Sequence, residues 1–209
     1  MADPLVVFGS GGHAKVVVEA VLSRSPDRNI ILVDDAPENH DRSIFGIAVA
    51  GARDLLESLR GTPVIPAVGD NRARSRLIEW LVSERHVLET VIHPAALIAT
   101  SVQIGQGSFV AAGAISIAEA QIGAGAIVNT GATVDHDCTI GDCAHIGPGV
   151  HLCGNVRIGA RTLVGVGAAV KPGISIADDA VVGAGAVVVR DIAMAGTYVG
   201  NPARLVHRS

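Results

Sequence analysis

From Ile98 onward the chain repeats every six residues, and few folds accept that period. Every sixth position reads Ile98, Ile104, Val110, Ser116, Ile122, Val128, Val134, Ile140, Ile146, Leu152, Ile158, Val164, Val170, Ile176, Val182 and Val188, and Ser116 alone is not aliphatic. The fourth residue after each is generally small, as at Ser108, Ala114, Ala120, Ala126, Ala132, Cys138 and Ala144. An α-helix repeats at about 3.6 residues and a strand at 2, so a register of six fits neither. It predicts a solenoid whose coil is three short strands joined by sharp corners, 18 residues in all, with coils stacked about 4.8 Å apart. The aliphatic residue points inward and stacks on its equivalent one coil away, while the small residue lets the corner close. Such a layered core has little use for large rings, and the 209 residues include only three Phe, one Tyr and one Trp.

The first 90 or so residues have a different grammar. Leu5–Phe8 reads as a strand, and "HAKVVVEAVLSR" as a helix with Val16, Val17, Ala20 and Val21 on one face. "NIILVDD" is a second strand ending in Asp34 and Asp35, "GARDLLESLR" a helix, and "TPVIPAVGDN" a third strand with turn residues behind it. "NRARSRLIEWLVSER" predicts a helix buried along Leu77, Ile78, Leu81 and Val82, and "VLETVI" a closing strand before His93-Pro94. Strands alternating with helices predict a parallel α/β sheet. The expected division is residues 1–92 as a Rossmann-like half-domain, 93–192 as the β-helix and 193–209 as a tail.

Composition removes several classes of function. The net charge of −4, without a Lys/Arg cluster, gives nucleic acid little to bind. "MADPLVVFGS" carries no positive region before its apolar run, and no apolar stretch approaches the ~20 residues of a membrane span, so a cytoplasmic protein is expected. Cys138, Cys143 and Cys153 form no C-x-x-C pair, and three thiols make no disulfide framework.

"VVFGSGGHAKVV" follows the first strand and opens the first helix. As G-x-G-x-x-A it fits a dinucleotide fingerprint, whose glycines let a pyrophosphate approach the backbone at a helix N-terminus. A full dinucleotide fold needs two mononucleotide halves, and the space before the β-helix supplies little more than one. That suffices for a nucleoside diphosphate, with Gly9, Gly11 and Gly12 against the phosphates and the helix dipole behind them. Asp34 and Asp35, about 20 residues on, stand where acidic residues meet a ribose or base.

The repeats "IGAGAIVNTGATVDHDCTIGDCAHIGPGVHLCGNVRIGARTLVGVGAAVKPG", the ending "VGNPARLV" and the N-terminal "GSGGHAKVV" together resemble the hexapeptide-repeat nucleotide-sugar N-acetyltransferases of the bacillosamine and perosamine type. Sialic-acid O-acetyltransferases are near relatives. The resemblance implies a left-handed parallel β-helix, a homotrimer with active sites between subunits, acetyl-CoA as co-substrate and no metal. It implies as acceptor a UDP- or GDP-linked amino sugar, most specifically a 4-amino-4,6-dideoxy sugar.

Transfer of acetyl from a thioester to an amine needs a base for the attacking nitrogen, and a histidine with pKa near 6.5 suits that work. In "VDHDC" the resemblance makes His136 the general base, with Asp137 its orienting acid and Asp135 an open alternative. Because neighbouring strand residues face opposite ways, Asp137 can serve only where a corner breaks the alternation. The resemblance also puts His145, Gly154, Val166 and Ala184 along the acetyl-CoA. Gly154, 18 residues after His136, is expected to stack above it and leave room for the acetyl end; where Ala184 stands the family usually has glycine. His13, Gly69, Asp70, Asn71 and Asn129 are implied on the nucleotide-sugar side. Two other readings compete: O-acetylation of a sugar, and a nucleotide-sensing trimer without activity. A zinc site like that of γ-type carbonic anhydrases is not supported, since His136, His145 and His151 lack the necessary spacing.

Overall fold

The computed structural model of the protein describes residues 4–207, so the outermost residues of the expected first domain and tail (1–3 and 208–209) lie outside it. The chain opens with a five-stranded sheet of order β3-β4-β2-β1-β5. Its strands are β1 (Leu5–Phe8), β2 (Ile30–Val33), β3 (Ser43–Ile44), β4 (Ile47–Gly51) and β5 (Val64–Pro66). β1 pairs in parallel with both β2 and β5, and only the β3–β4 hairpin is antiparallel. The chain thus leaves β1 for one side of the sheet and later returns to the other. This is the topology that opens a crevice beyond the carboxyl end of β1.

Helix α1 (Gly12–Arg24) buries Ala14, Val17, Val18 and Val21, a stripe at i, i+3, i+4 and i+7, with Ala20 beside it. Val16, expected on that face, is exposed. Helix α2 (Asn71–Ser83) buries Leu77 and Leu81 as expected, but Val82 points to solvent and Ile78 is only half-buried. Arg74 takes the place on the buried stripe one turn before Leu77 and Ile78. The segment expected as a helix at "GARDLLESLR" is only a 3₁₀ stretch over Arg53–Glu57, long enough to bury Leu56. "VLETVI" is not one strand either. Leu88 bridges Val64 of the sheet, whereas β6 (Val91–Ile92) pairs with Phe109–Val110 and so already belongs to the solenoid.

From there the chain winds as a three-sided parallel β-helix, left-handed as in the family it resembles, with faces of eight, six and five strands, the last of the eight (Arg204–His207) folding back antiparallel. Face one runs through Phe109–Val110, Ile127–Val128, His145–Ile146 and Leu163–Val164; face two through Leu97–Ile98, Thr133–Val134 and His151–Leu152; face three through Gln121–Ile122, Thr139–Ile140 and Arg157–Ile158. Rungs pair with the residue 18 positions away, as Thr133 does with His151 and Val134 with Leu152, until the last coil, where Ala180 pairs with Gly196 and Ile176 with Ile192. The predicted inward positions form one continuous core from Val110 to Val188, and the small corner residues Ala114, Ala126, Ala132, Cys138 and Ala144 are fully buried within it. Corners between faces three and one are tight. A Cβ on Gly141 would lie 2.5 Å from the Ala160 backbone nitrogen of the next coil, which is why glycine recurs there. Ser116 occupies an inward position, and its buried hydroxyl has no hydrogen-bond partner.

Face one does not end in solvent. Phe109, Ala111 and Ile127 pack with α1 and the five-stranded sheet in a single cluster, so the two halves share a core.

Candidate functional site

The corner between faces two and three presents a histidine–carboxylate pair. Residues one coil apart at this corner, Glu119, Asp137 and Asn155, all take left-handed backbone conformations, with φ of 63°, 59° and 56°. That turn breaks the strand alternation and swings Asp137 back beside its neighbour. His136 Nδ1 and Asp137 Oδ2 are 2.8 Å apart. Asp135 is engaged otherwise, its Oδ1 accepting the His136 backbone N–H at 2.7 Å. The His136 side chain is 56% exposed. The hydrogen bond to Asp137 raises its pKa above the ordinary 6.5, against a small desolvation effect, with the charges of Asp135 and Asp137 adding to the rise.

Gly154 does stack one coil beyond His136, but the space it leaves is already filled. A Cβ there would lie 2.3 Å from His136 Nε2 and 2.4 Å from Cε1. The expected room for an acetyl group is therefore room for the imidazole itself.

A second constellation forms where the first domain meets face one, and its centre is a residue that sequence reasoning missed. Arg74 is fully buried and every guanidinium nitrogen is bonded. Nε donates to Gly125 O at 2.7 Å, Nη1 to Val68 O and Gly69 O, and Nη2 to Asn71 Oδ1 and Cys143 O, both at 2.8 Å. Desolvation brings its pKa down to about 10. It ties the turn before α2 to two corners of the β-helix. In "NRARSRL" only its i, i+3, i+7 relation to Leu77 and Leu81 marks it, since Arg72 and Arg76 look alike.

His13 and His145 both lie against this cation. His13 packs edge-on to Phe109 with centroids 5.3 Å apart, and its Nε2 is buried without a partner. Desolvation first, then the charge of Arg74, lowers its pKa to about 3. His145 is lowered to about 4 by the same two causes. Asn129 fixes the His145 tautomer. Its Oδ1 accepts the Thr130 N–H at 2.8 Å, which turns its amide nitrogen toward His145 Nε2 at 3.0 Å. A nitrogen that accepts cannot carry the ring proton, so neutral His145 keeps its hydrogen on Nδ1. Gly69, Asp70, Asn71, Arg72, His145 and Arg161 line a cleft of about 310 Å³ along this junction.

The other expected nucleotide residues are placed less simply. Gly11 is the N-cap of α1 with extended backbone, and both Gly11 and Gly12 border open space. Gly9 has φ of 120°, and a Cβ on it would lie 2.7 Å from Ala67 O, so close packing against the turn after β5 requires it. Asp34 does not present a free carboxylate: Oδ2 accepts from Ser10 N and Oγ at 2.8 and 2.7 Å, and Oδ1 from Ala36 N. Burial alone would raise its pKa, but the hydrogen bonds from Ser10, Ala36 and Asn39 outweigh that and hold it below the carboxylate range. Asp35 is bound to Arg53. Asp70 caps α2 by accepting from Ala73 N at 2.7 Å, and Asn71 donates to Arg161 O at 2.9 Å. Beyond the ends of β1 and β2 opens a cavity of about 490 Å³, with Phe8, Gly9, Asp34, Asp35, Arg53 and Val68 on its wall.

Val166 and Ala184 stand exposed at the corner between faces one and two, joined by a Gly185 N to Val166 O bond of 2.8 Å. The expected donor residues therefore occupy three separate parts of one prism: His136 and Gly154 on one edge, Val166 and Ala184 on another, and His145 on the face beside the first domain. Among the described residues no group of three or more His, Cys, Asp or Glu is placed to hold a metal ion, and no helix is long and apolar enough to cross a membrane.

Comparison with known proteins agrees with this architecture. The profile of the PglD N-terminal domain matches residues 4–81, and that of the hexapeptide repeat of succinyl-transferase matches residues 155–190. The UDP-N-acetylbacillosamine N-acetyltransferase of Bacillus subtilis (strain 168) is 36% identical over 110 residues, 52% of this chain and 51% of that protein. The match thus spans about half the length of the curated relative. The acetyltransferase domain of PglB from Neisseria gonorrhoeae FA1090, solved in complex with acetyl coenzyme A, is 40% identical, with 99% of this chain and 100% of that chain covered and a TM-score of 0.92. PerB from Caulobacter crescentus, solved with CoA and GDP-perosamine, is also 40% identical, with 99% and 98% covered and a TM-score of 0.91. With that identity sustained over nearly all of both chains, the protein belongs to the family of left-handed β-helix nucleotide-sugar N-acetyltransferases.

Proposed function

We propose that the protein transfers acetyl from acetyl-CoA to the amine of a nucleotide-linked 4-amino-4,6-dideoxy sugar, in one direct step. The relatives solved with acetyl coenzyme A, and with CoA and GDP-perosamine, support both ligand classes. The observation that carries the mechanism is the His136–Asp137 pair. With Nδ1–H donated to Asp137, Nε2 carries the lone pair on a side chain that is half exposed, and it borders the gap left by the missing side chain of Gly154. The neutral amine attacks the thioester carbonyl carbon, His136 Nε2 takes the proton that nitrogen loses, and the C–S bond breaks to release CoA. The proton then passes to the departing thiolate, so His136 returns neutral. Asp137 holds the tautomer and offsets the imidazolium charge, and its raising of the pKa makes His136 a stronger base.

The residues before Val91 serve as the nucleotide module, the β-helix that opens with Val91–Ile92 and runs to about 192 as the acyltransferase body, and 193–209 as its tail. The phosphates lie on the Gly11–Gly12 turn at the α1 N-terminus, and the nucleoside occupies the cavity beyond β1 and β2. His13, Gly69 and Asn129 border the sugar, while Val166 and Ala184 flank the pantetheine.

The working unit is a trimer with sites between subunits. Face two carries exposed Leu97 and Ile115 (57% and 37%), suited to burial against another copy. The substrates are cytoplasmic metabolites, which makes the cytoplasm the site of action. The test is turnover of acetyl-CoA with GDP- and UDP-linked 4-amino sugars. His136→Ala is expected to lower kcat by about 10²–10⁴, and near-wild-type turnover by that variant would sink the mechanism.

A further inference from the structure

The cavity beyond β1 and β2 has one wall that phosphate binding does not use. Arg53 lies on it, its Cζ 4.7 Å from the centroid of the Trp80 ring. Trp80 itself is not on the wall, so the indole backs the guanidinium and the other guanidinium face looks into the cavity. Trp80 is in turn braced edge-on by Phe8, with centroids 6.3 Å apart. Asp35 fixes the guanidinium within its plane: Oδ2 accepts from both Nε (2.9 Å) and Nη2, and Oδ1 accepts the Arg53 backbone N–H at 3.0 Å. The result is a flat cation held from behind and from one edge, facing a space whose wall includes apolar Phe8, Val68 and Leu77 together with the charged Asp34 and Arg76.

We propose, on the footing of the nucleotide reading above, that Arg53 is the stacking platform for the nucleobase and makes the enzyme prefer a guanine to a uracil nucleotide. A guanidinium is planar and weakly hydrated and stacks on aromatic rings. A bicyclic base covers the plate and reaches the apolar wall beside it, whereas a single ring leaves part of the plate in water. Asp35, expected from sequence to meet the ribose or base itself, becomes the residue that positions the plate.

Trp80 is the protein's one tryptophan, so its fluorescence reports on the plate directly. The experiment titrates GDP and UDP into the full-length wild type, Arg53→Ala, Arg53→Lys and Asp35→Asn, with circular dichroism verifying that each variant is folded. The wild type is expected to bind GDP about tenfold more tightly than UDP, with a change in Trp80 emission. Arg53→Ala loses about tenfold in GDP affinity and most of the discrimination. Arg53→Lys, which keeps charge without the plane, behaves like alanine, and Asp35→Asn falls between. Binding of UDP as tightly as GDP by the wild type, or unchanged GDP affinity in Arg53→Ala, overturns the proposal. If the wild type binds neither nucleotide, the nucleotide-sugar reading itself fails. If it binds GDP and Arg53→Ala binds GDP equally well, only the role of Arg53 fails.

Discussion

Replacing Gly154 with alanine separates two roles that its position allows. The added Cβ would stand 2.3 Å from His136 Nε2, 2.4 Å from Cε1 and 3.0 Å from Cδ2. An ordinary van der Waals contact begins near 3.4 Å, so the ring must retreat by roughly 1 Å, the scale of misplacement that costs about 10² in rate. A shift of that size displaces Nδ1 from its 2.8 Å bond to Asp137. Gly154 is not among the positive-φ residues, so alanine meets no backbone strain. Because the imidazole is half exposed, folding stability should hardly change. The expected result is a fall in kcat of about 10², or roughly 2.7 kcal/mol in the barrier, with the melting temperature preserved. The assay is CoA release under saturating acetyl-CoA and amino sugar, run in wild-type and His136→Ala backgrounds. If glycine acts by seating the imidazole, Gly154→Ala adds nothing once His136 is gone. A penalty that persists in the His136→Ala background, with a raised KM for acetyl-CoA, would refute the seating argument and restore the reading in which Gly154 makes room for the acetyl group.

Four further outcomes follow from the same geometry. Asp137→Asn makes the acceptor of the Nδ1 hydrogen bond neutral and removes one of the two charges that raise the His136 pKa, so the acid limb of the kcat/KM profile moves to lower pH while the plateau falls; an unmoved limb counts against the pair. Arg74→Met strands five oxygens at the junction and is expected to cost about 3–5 kcal/mol in denaturant unfolding, with Arg74→Lys intermediate. Ser116→Val replaces an unpartnered buried hydroxyl with the aliphatic group found elsewhere in the repeat, and is expected to stabilise by about 1–2 kcal/mol; a lowered melting temperature would show that the hydroxyl has a partner after all. His13 and His145 are neutral in the fold down to about pH 3 and pH 4 but titrate near 6.5 when unfolded. The unfolded chain therefore binds more protons below pH 6.5. Stability is complete above that pH and falls as the pH drops toward 4, by up to about 1.4 kcal/mol per unit for each histidine. Denaturant melts at pH 7 and pH 5 measure the slope, which His145→Gln should flatten.

What could be read from the sequence divides along a physical line. The β-helix was legible because a residue's surroundings there depend on its place within 18 residues, and those places are spelled out in order. Its inward positions, buried corners and the stacking of Gly154 on His136 all follow from counting. At Arg53–Glu57 the sequence promises more helix than forms, since "DLLESL" has helical periodicity but buries only Leu56. Arg74 was not legible, because its burial is created by carbonyls 51 and 69 residues away. The same holds for Asp34 and Asp35. Spacing put both at the end of β2, but Ser10 and Arg53 decide where their oxygens point.

One relation in the sequence carries further than any of these. His136 and His145 are nine residues apart, half of an 18-residue coil, and in the fold they stand on the corner between faces two and three and on face one across the prism. His145 lines the junction with the nucleotide module, whereas the half-exposed ring of His136 bonds, among the described residues, to Asp137 alone. If the base and the nucleotide-side cleft act on one substrate, the straight, rigid prism cannot bring them together within a chain. The His136 corner of one subunit must then meet the cleft of its neighbour. Assayed at amino-sugar concentrations well below saturation, where Arg53→Ala is about tenfold impaired, a mixture of His136→Ala subunits with Arg53→Ala subunits should therefore turn over faster than the two variants do when assayed apart. A trimer with each site inside one chain would show no such gain.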